Sequence, residues 1–359
     1  MKIADHHLQG LPHAIEAREK LGEALFRYML GQPKDLPVGA DDANAAALQQ
    51  YRLVPRVMRG CQSLNISSQP FKRHWSAPLA VGAFAGDRVF HPQGLLPIAR
   101  VCQRLQLPLF ISEETVTPLA DICAEHDDCW LQLRAAGPVD RILDLMGNAA
   151  DCGAQGIILT VLAPVHPVNG LQPGGFSIGD ELLRRGWKTI GSTAAGVHPL
   201  PAFPAWSWQE LATVIQHATA KGLSVMVKGV LHPEDAMLAT QSGAQALMVS
   251  NIGLRQSARW VTPVESMAHI VPAFTGLLAI DGGIRSGADV LVARSLGAEL
   301  AVIVRPIIAA LAAGGEQAVE SLLCGLINEI TALCSWCGVS DICELNADYV
   351  AIMGASHEQ

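Results

Sequence analysis

The stretch Ala246-Leu-Met-Val-Ser-Asn-Ile-Gly-Leu-Arg-Gln256 changes character part-way along. It begins with an apolar run, ALMV, and ends in SNIGLRQ, which mixes hydroxyl, amide, glycine and guanidinium groups. A short apolar run without polar alternation suits a strand buried on both faces, as in a parallel sheet. The polar residues that follow then stand at the strand's carboxyl end. Seven runs of the same kind surround it: PLAVGAF (78–84), PLFIS (108–112), CWLQL (129–133), GIILTV (156–161), LSVMVKG (223–229), GLLAIDG (276–282) and ELAVIV (299–304). Amphipathic segments such as WQELATVIQHATAKG and PEDAMLATQSG separate them, and their closing glycines suit helix C-caps.

Eight strand–helix units joined by right-handed crossovers make a closed barrel. The predicted fold class is therefore α/β: a single (β/α)8 TIM barrel over residues 71–359, preceded by an N-terminal helical arm over 1–70. The connection over 162–207, rich in Pro and Gly, is long for a barrel loop and reads either as a lid or as a passive insertion. Active sites of such barrels lie at the strands' C-terminal ends, so the residues that end each run carry the functional information.

Composition narrows the classes. Hydrophobic residues make up 50% and charged residues 16% of the 359, enough to fill a large core. A formal charge of −8 with no local Lys/Arg cluster argues against a nucleic-acid or anionic-membrane partner. The polar N-terminal stretch lacks a signal-peptide apolar segment. The apolar stretch around 299–313 is interrupted by Arg305 and Pro306, which argues against a transmembrane segment. Nine cysteines, an odd count, point to reduced thiols in the cytoplasm. Cys334-Ser-Trp-Cys337, with Cys343 nearby, lies in a helical pattern with no second such pair. Buried helix residues, and no metal, are expected there.

Two segments read as a phosphate site. Asp281-Gly282-Gly283-Ile284-Arg285 follows the seventh run and Val304-Arg305-Pro306 the eighth. Glycines let backbone approach a phosphate, helix N-termini supply N–H groups, and arginine pairs bidentately. Phosphate sites after the last two strands recur in barrels. Lys228 ends the fifth run among apolar residues, where an unpaired ammonium is costly to bury, so a functional role is expected.

SNIGLRQ does not stand alone. Tyr51-x₃-Pro55-Arg56, His91-Pro92-x-Gly94, Gln132-Leu133, Leu159-Thr160-Val161, Lys228-Gly229 and DGGIR accompany it in order. Together, from Lys20 to Val339, they resemble the FMN-dependent α-hydroxy acid oxidase and dehydrogenase family, which includes glycolate oxidases and L-lactate dehydrogenases. The resemblance implies FMN as cofactor, and oxidation of a small 2-hydroxy acid or related anionic carboxylate substrate through flavin N5. It also implies a homo-oligomer, a tetramer. Carried over by position, Ser112, Gln132, Thr160 and Lys228 would meet the flavin ring, Lys228 near its N1 and O2 atoms. Ser250 and Asp281 would meet the ribityl chain, and Gly282, Gly283, Arg285 and Arg305 the phosphate. Ala83-Phe84-Ala85 replace the family's Pro-Thr-Ala, and Val304 replaces a glycine, at positions that contribute largely through backbone.

The substrate positions depart further. Tyr28 and Arg255 match carboxylate ligands. Ile252, however, replaces the histidine base, Leu162 the aspartate that orients it, and Arg134 a tyrosine near the substrate hydroxyl. Asn169 stands where a carboxylate-clamping arginine is expected. An aliphatic side chain cannot take a proton as imidazole does, so proton abstraction should be atypical or impaired. His166 or a water would be the replacement base, with His198 a further histidine in the long connection. Arg134 either converges with Arg255 on an anionic ligand or pairs with a loop acid. His91 is expected to be structural and His232 to mark a helix entry. The function expected is an FMN-dependent oxidoreductase. The alternatives are a non-oxidising FMN-binding protein, as a ligand sensor or inactive partner subunit, and a flavin barrel with changed chemistry such as an isomerase.

Overall fold

The computed structural model describes residues 10–31, 42–60, 63–165, 176–192 and 204–353. Helices α1 (Ala14–Leu30) and α2 (Ala43–Leu48) come first, then a short strand β1 (Tyr51–Leu53). Eight strands follow: β2 (Leu79–Val81), β3 (Leu109–Ser112), β4 (Cys129–Arg134), β5 (Gly156–Thr160), β6 (Ser224–Val230), β7 (Ala246–Val249), β8 (Leu277–Asp281) and β9 (Leu300–Ile303). They close in that order into one parallel barrel, each strand coinciding with one of the apolar runs, with β4 and β6 running one residue further. Helices α3 (Asp87–Phe90) and α4 (Leu96–Leu105) follow β2, α5 (Leu119–Glu125) follows β3, and α6 (Val139–Asp151) follows β4. Then α7 (Ile178–Arg184) and α8 (Trp208–Ala220) follow β5, α9 (Pro233–Gln241) follows β6, and α10 (Pro263–Ile270) follows β7. Helix α11 (Gly287–Ser295) follows β8, α12 (Arg305–Trp336) follows β9, and strand β10 (Val350–Ile352) comes last.

Because side chains alternate across a strand, each run fills two cores. Phe110, Trp130, Ile158, Met226, Met248, Ala279 and Val302 pack inside the barrel. Their neighbours Leu109, Ile111, Leu131, Ile157, Val225 and Ile280 face the helices. The lower plug is aromatic, with Trp75 and Trp130 donating to the two carboxylate oxygens of Asp128 at 2.7 and 3.1 Å. Helix starts are chemically marked. Capping boxes join Ser207 to Glu210 before α8 and Ser286 to Asp289 before α11, which satisfies N–H groups the first turn leaves free.

Two sequence expectations change here. The break expected at Arg305 and Pro306 is present: β9 ends at Ile303, and the two residues form the first turn of α12, where proline's missing N–H costs nothing. By length and composition α12 could cross a membrane. In the fold it lies against α1, α4 and α11, burying Ile307 to Leu311 and, further along, Val319, Leu323, Leu326 and Ile330. Arg100 and Arg104 of α4 also pair with its Glu316 at 2.7 and 2.9 Å. The N-terminal arm includes β1 as well as helices, and β1 pairs antiparallel with β10. The long connection contains α7 and is tied back to the barrel. Gly191 N donates to Glu113 O at 2.7 Å, Ile190 N to Thr115 O at 2.9 Å, and Trp206 Nε1 to Gly137 O at 2.8 Å.

Candidate active site

Stepping two residues from each interior side chain toward the strand's carboxyl end gives the next layer of the barrel. From Ala80, Phe110, Trp130, Ile158, Met226, Met248, Ala279 and Val302 the step reaches Gly82, Ser112, Gln132, Thr160, Lys228, Ser250, Asp281 and Val304. An apolar plug is thus capped by a polar arc running from Ser112 round to Asp281. Register confirms the neighbours: Ser112 lies opposite Gln132, and Thr160 opposite Lys228. Gln132 Nε2 donates to Thr160 Oγ1 at 3.0 Å, and Lys228 Nζ pairs with Asp281 Oδ2 at 2.7 Å. A register shift after Lys228, at Gly229 with φ 100°, locally bends β6 where the arc needs a long cation.

The arc ends in a notch. A Cβ at Gly82 would lie 2.6 Å from Val304 Cγ2, so Val304 occupies the space the glycine leaves. Ala83 packs at the edge of the interior core. The Phe84 side chain turns into the outer core and meets Phe90 edge-on at 5.9 Å, where burying its ring is favourable, which leaves its backbone for the mouth of the barrel. Ala85 is partly buried beside it.

Beyond Asp281 the chain makes the turn Gly282-Gly283, with φ 93° and 84°, and Arg285 and Arg305 converge from β8 and β9. Both reach one carboxylate oxygen, Asp42 Oδ2, at 2.6 and 2.7 Å. Their other nitrogens donate to backbone: Arg285 Nη1 to Ile284 O at 2.8 Å and Arg305 Nη2 to Gly253 O at 2.5 Å. Burial lowers the Arg285 pKa, with the Arg305 charge adding to that effect and Asp42 opposing it. Burial also works against the Asp42 charge, but Arg305, Arg285 and the amides of Asn44 and Ala45 outweigh it and hold the carboxyl below its ordinary range. Asp42 is the N-cap of α2, accepting from Asn44 N at 3.1 Å. Asn44 in turn exchanges side-chain hydrogen bonds with Asn251 at 2.9 and 2.7 Å, buried on both sides. Asp42 and Asn44 escaped the sequence reading; the signal was an N-cap acid before the alanine-rich ANAAAL.

The substrate side is built on Tyr28, Arg255 and Arg134. Arg255 stacks over the Tyr28 ring at 4.9 Å and donates to Tyr28 O at 3.1 Å. Burial lowers its pKa, and among the described residues no acid lies in ion-pair range of it. Burial pushes the Tyr28 phenol up to about 12, so it is a neutral hydrogen-bonding group near neutral pH. The same phenol lies near Glu114 and Arg134. Phe176 flanks Tyr28 at 5.5 Å, giving the site an aromatic side.

Of the two orientations open to Arg134, the structure takes the loop acid. Its Nε lies 3.4 Å from Glu113 and its Nη1 3.3 Å from Glu114. Burial opposes its charge, but Glu114 and Glu113 more than compensate and raise its pKa. Glu113 is buried and also takes Arg141 Nη2 at 2.6 Å and the Arg134 amide at 3.0 Å. These two glutamates escaped the sequence reading; the signal was their place directly after the PLFIS run, at a strand end. Ile252 adopts φ 49°, and Gly253 and Leu254 follow at 68° and 58°. Leu162 packs on the Gly229 bulge, its Cβ 2.6 Å from where a Cβ would stand. His166, His198 and Asn169 lie outside the described residues. His91 accepts from Gln93 N at 3.3 Å, and His232 caps α9 by accepting from Glu234 N at 3.3 Å. Cys334 and Cys337 are buried on α12, and no metal-binding cluster occurs among the described residues.

These features define a barrel that binds a phosphorylated, polar-edged ligand over an apolar plug. The donor set fits FMN: Asp281 Oδ1 is buried without a hydrogen-bond partner, Lys228 faces it, and two guanidiniums mark the phosphate end. The family model for FMN-dependent dehydrogenases matches residues 17–352, and the chain belongs to that family. It is 34% identical over 302 residues to a 4-hydroxymandelate oxidase of Amycolatopsis orientalis, covering 80% of this chain and 83% of that one. It is 28% identical to 2-hydroxyacid oxidase 1 of Homo sapiens, covering 86% of each. The crystal structure of a mandelate oxidase with (S)-4-hydroxymandelic acid superimposes with a TM-score of 0.81 at 29% identity, over 95% of this chain and 98% of that one. The protein is thus an FMN-dependent oxidoreductase of the 2-hydroxy acid type.

Proposed function

We propose that the substrate is a 2-hydroxy acid with an aromatic side chain, oxidised to the 2-oxo acid. One observation carries this: Arg255, in the turn that follows β7, is a largely buried guanidinium stacked on Tyr28, with no acid in ion-pair range among the described residues. A buried cation of this kind is stabilised by an incoming carboxylate. The Tyr28–Phe176 pair supplies an aromatic wall, and two of the three relatives named above, the Amycolatopsis orientalis oxidase and the mandelate oxidase of the crystal structure, are named for or bound to hydroxymandelate.

Ser112, Gln132, Thr160, Lys228, Ser250 and Asp281 would hold the flavin, with Arg285 and Arg305 at its phosphate. When bound, FMN supplies the two-electron acceptor. The chain's residues do the rest. Arg255 binds the carboxylate, the neutral Tyr28 phenol donates to it, and the aromatic wall excludes water from the α-carbon. The hydroxyl proton must leave to a group other than Ile252. Glu114, grouped with Tyr28 and Arg134, is the described carboxylate best placed to receive it through a water, and His166 is the alternative.

The test is anaerobic mixing of the FMN-loaded protein with mandelate, 4-hydroxymandelate and L-lactate. Bleaching of the flavin by the aryl acids, lost in Arg255→Met, is the expected result. No bleaching by any 2-hydroxy acid would favour the second reading, an FMN-bound ligand-binding protein. The neutralisation of Arg134 by Glu113 and Glu114 and the aliphatic residue at 252 are what support that reading. We further propose a homo-oligomer, testable by light scattering. A cytoplasmic location is consistent with eight described cysteines that are all free thiols.

A further inference from the structure

Arg285 and Arg305 come from different strand ends yet meet at a single oxygen of Asp42, the residue that caps α2. Two buried like charges converge only around an anion. Here the chain provides that anion itself. The other Asp42 oxygen is occupied by Asn44 N, so both acceptors are used internally. The arginines' other terminal nitrogens bond Ile284 O and Gly253 O; each guanidinium has further N–H groups, but a phosphate drawn to them would stand beside the Asp42 carboxylate, whose like charge opposes it, so phosphate and Asp42 compete for the pair. Asp42 is the replaceable one. It is a side chain, 21% exposed, whereas the carbonyls belong to the backbone of the site. The first turn of α2 also covers the glycine turn: a Cβ at Gly283 would lie 2.5 Å from Asn44 C and 2.6 Å from Ala45 N.

We propose that Asp42 is an internal counter-anion of the phosphate cradle, displaced when the cofactor phosphate binds, and that it thereby sets how strongly the site selects FMN over riboflavin. The inference rests on FMN as cofactor. A phosphate monoester carries nearly two negative charges at neutral pH against the single charge of Asp42, so it matches the two guanidiniums better. Its gain is reduced by whatever is needed to release Asp42, since binding is weakened by the fraction of protein in which the cradle is closed. Riboflavin has no phosphate and does not compete with Asp42. The Asn44–Asn251 pair holds α2 in place independently of charge, so release requires movement of the cap and not loss of the helix.

The test uses the full chain and Asp42→Asn, which removes the charge and keeps a good N-cap. Asp42→Ser, a second capping residue, guards against a defect peculiar to one variant. Dissociation constants for FMN and for riboflavin are measured by quenching of flavin fluorescence. The expected result is FMN binding tighter by about tenfold or more in both variants, with riboflavin unchanged. Equal or weaker FMN binding, or FMN and riboflavin shifting together, overturns the proposal while leaving the cofactor assignment intact. If no flavin binds any of the proteins, the cofactor assignment fails, and inorganic phosphate decides the role of Asp42 separately. A phosphate-induced rise in Tm larger in the variants than in the parent supports the counter-anion. Equal rises overturn it.

Discussion

Replacing Ile252 with histidine tests whether the signature loop has kept its shape after losing its base. Ile252, Gly253 and Leu254 are all left-handed, at φ 49°, 68° and 58°. A β-branched residue there is a backbone outlier that costs on the order of 1–3 kcal/mol. Histidine enters this region more readily than isoleucine. Ile252 is half-buried, so removing its apolar surface costs roughly 1 kcal/mol. The two effects offset one another, and Ile252→His should unfold within about 1 kcal/mol of the parent in urea. Its chemistry should change far more. A positioned general base contributes about 10²–10⁴ in rate. Leu162 leaves the new imidazole without a carboxylate to orient it, so the gain should fall at the lower end, near ~10². The assay is anaerobic flavin bleaching by a 2-hydroxy acid in the FMN-loaded variant. A stability loss above about 3 kcal/mol would show that the left-handed loop is not strained by isoleucine. An unchanged bleaching rate with flavin bound would show that position 252 no longer faces the substrate.

Glu113→Ala should destabilise the protein by about 3–5 kcal/mol in urea titration, because it leaves Arg134 and Arg141 without their shared buried acid; Glu114, 23% exposed, should cost far less when changed to Gln. Asn251→Ala breaks the reciprocal amide pair that pins α2, and should cost about 1–3 kcal/mol while raising hydrogen exchange in residues 43–48. The Asp42 carboxyl is held below its ordinary pKa in the folded state, so its stabilisation is present above the ordinary carboxylate value of about 4 and is lost as pH falls through the folded value. The urea midpoint should therefore drop between about pH 5 and about pH 2 less steeply in Asp42→Asn than in the parent.

The barrel was legible because buried parallel strands need no alternation, and eight such runs followed by glycine-closed helical patterns leave few other topologies. The polar arc was legible for the same reason: each of its residues ends a run. What sequence could not show was pairing between distant elements. Asp42 meets Arg285 and Arg305 across 243 and 263 residues, and nothing local in DDAN marks such a partner. Sequence also did not show where the Phe84 ring goes: burial against Phe90 decides its direction. The break at Arg305 and Pro306 was legible, and it separates β9 from α12; what sequence did not show is that α12 itself is long and apolar and that Arg305 reaches back to the site.

Arg285 and Arg305 were expected at a phosphate and Arg134 at either an anionic ligand or a loop acid, and the fold answers all three from within. Arg134 has Glu113 and Glu114, Arg141 has Glu113, and Arg285 and Arg305 share Asp42. Each pairing follows from the same physics: a guanidinium removed from water must recover its lost hydration from an acid, or be pushed toward neutrality. Arg255 is the exception among them, buried, stacked on a neutral phenol, and shifted downward by its desolvation. A pocket using Arg134 and Arg255 as equal anion ligands is therefore disfavoured, since Arg134 already carries compensating charge. One carboxylate at Arg255 completes the balance, and a second anionic group on the substrate would meet Glu114 instead of a free cation. Among the described residues the mouth is charged for a monoanion with an uncharged remainder, which supports the proposed aryl 2-hydroxy acid over a hydroxy diacid or a phosphorylated substrate.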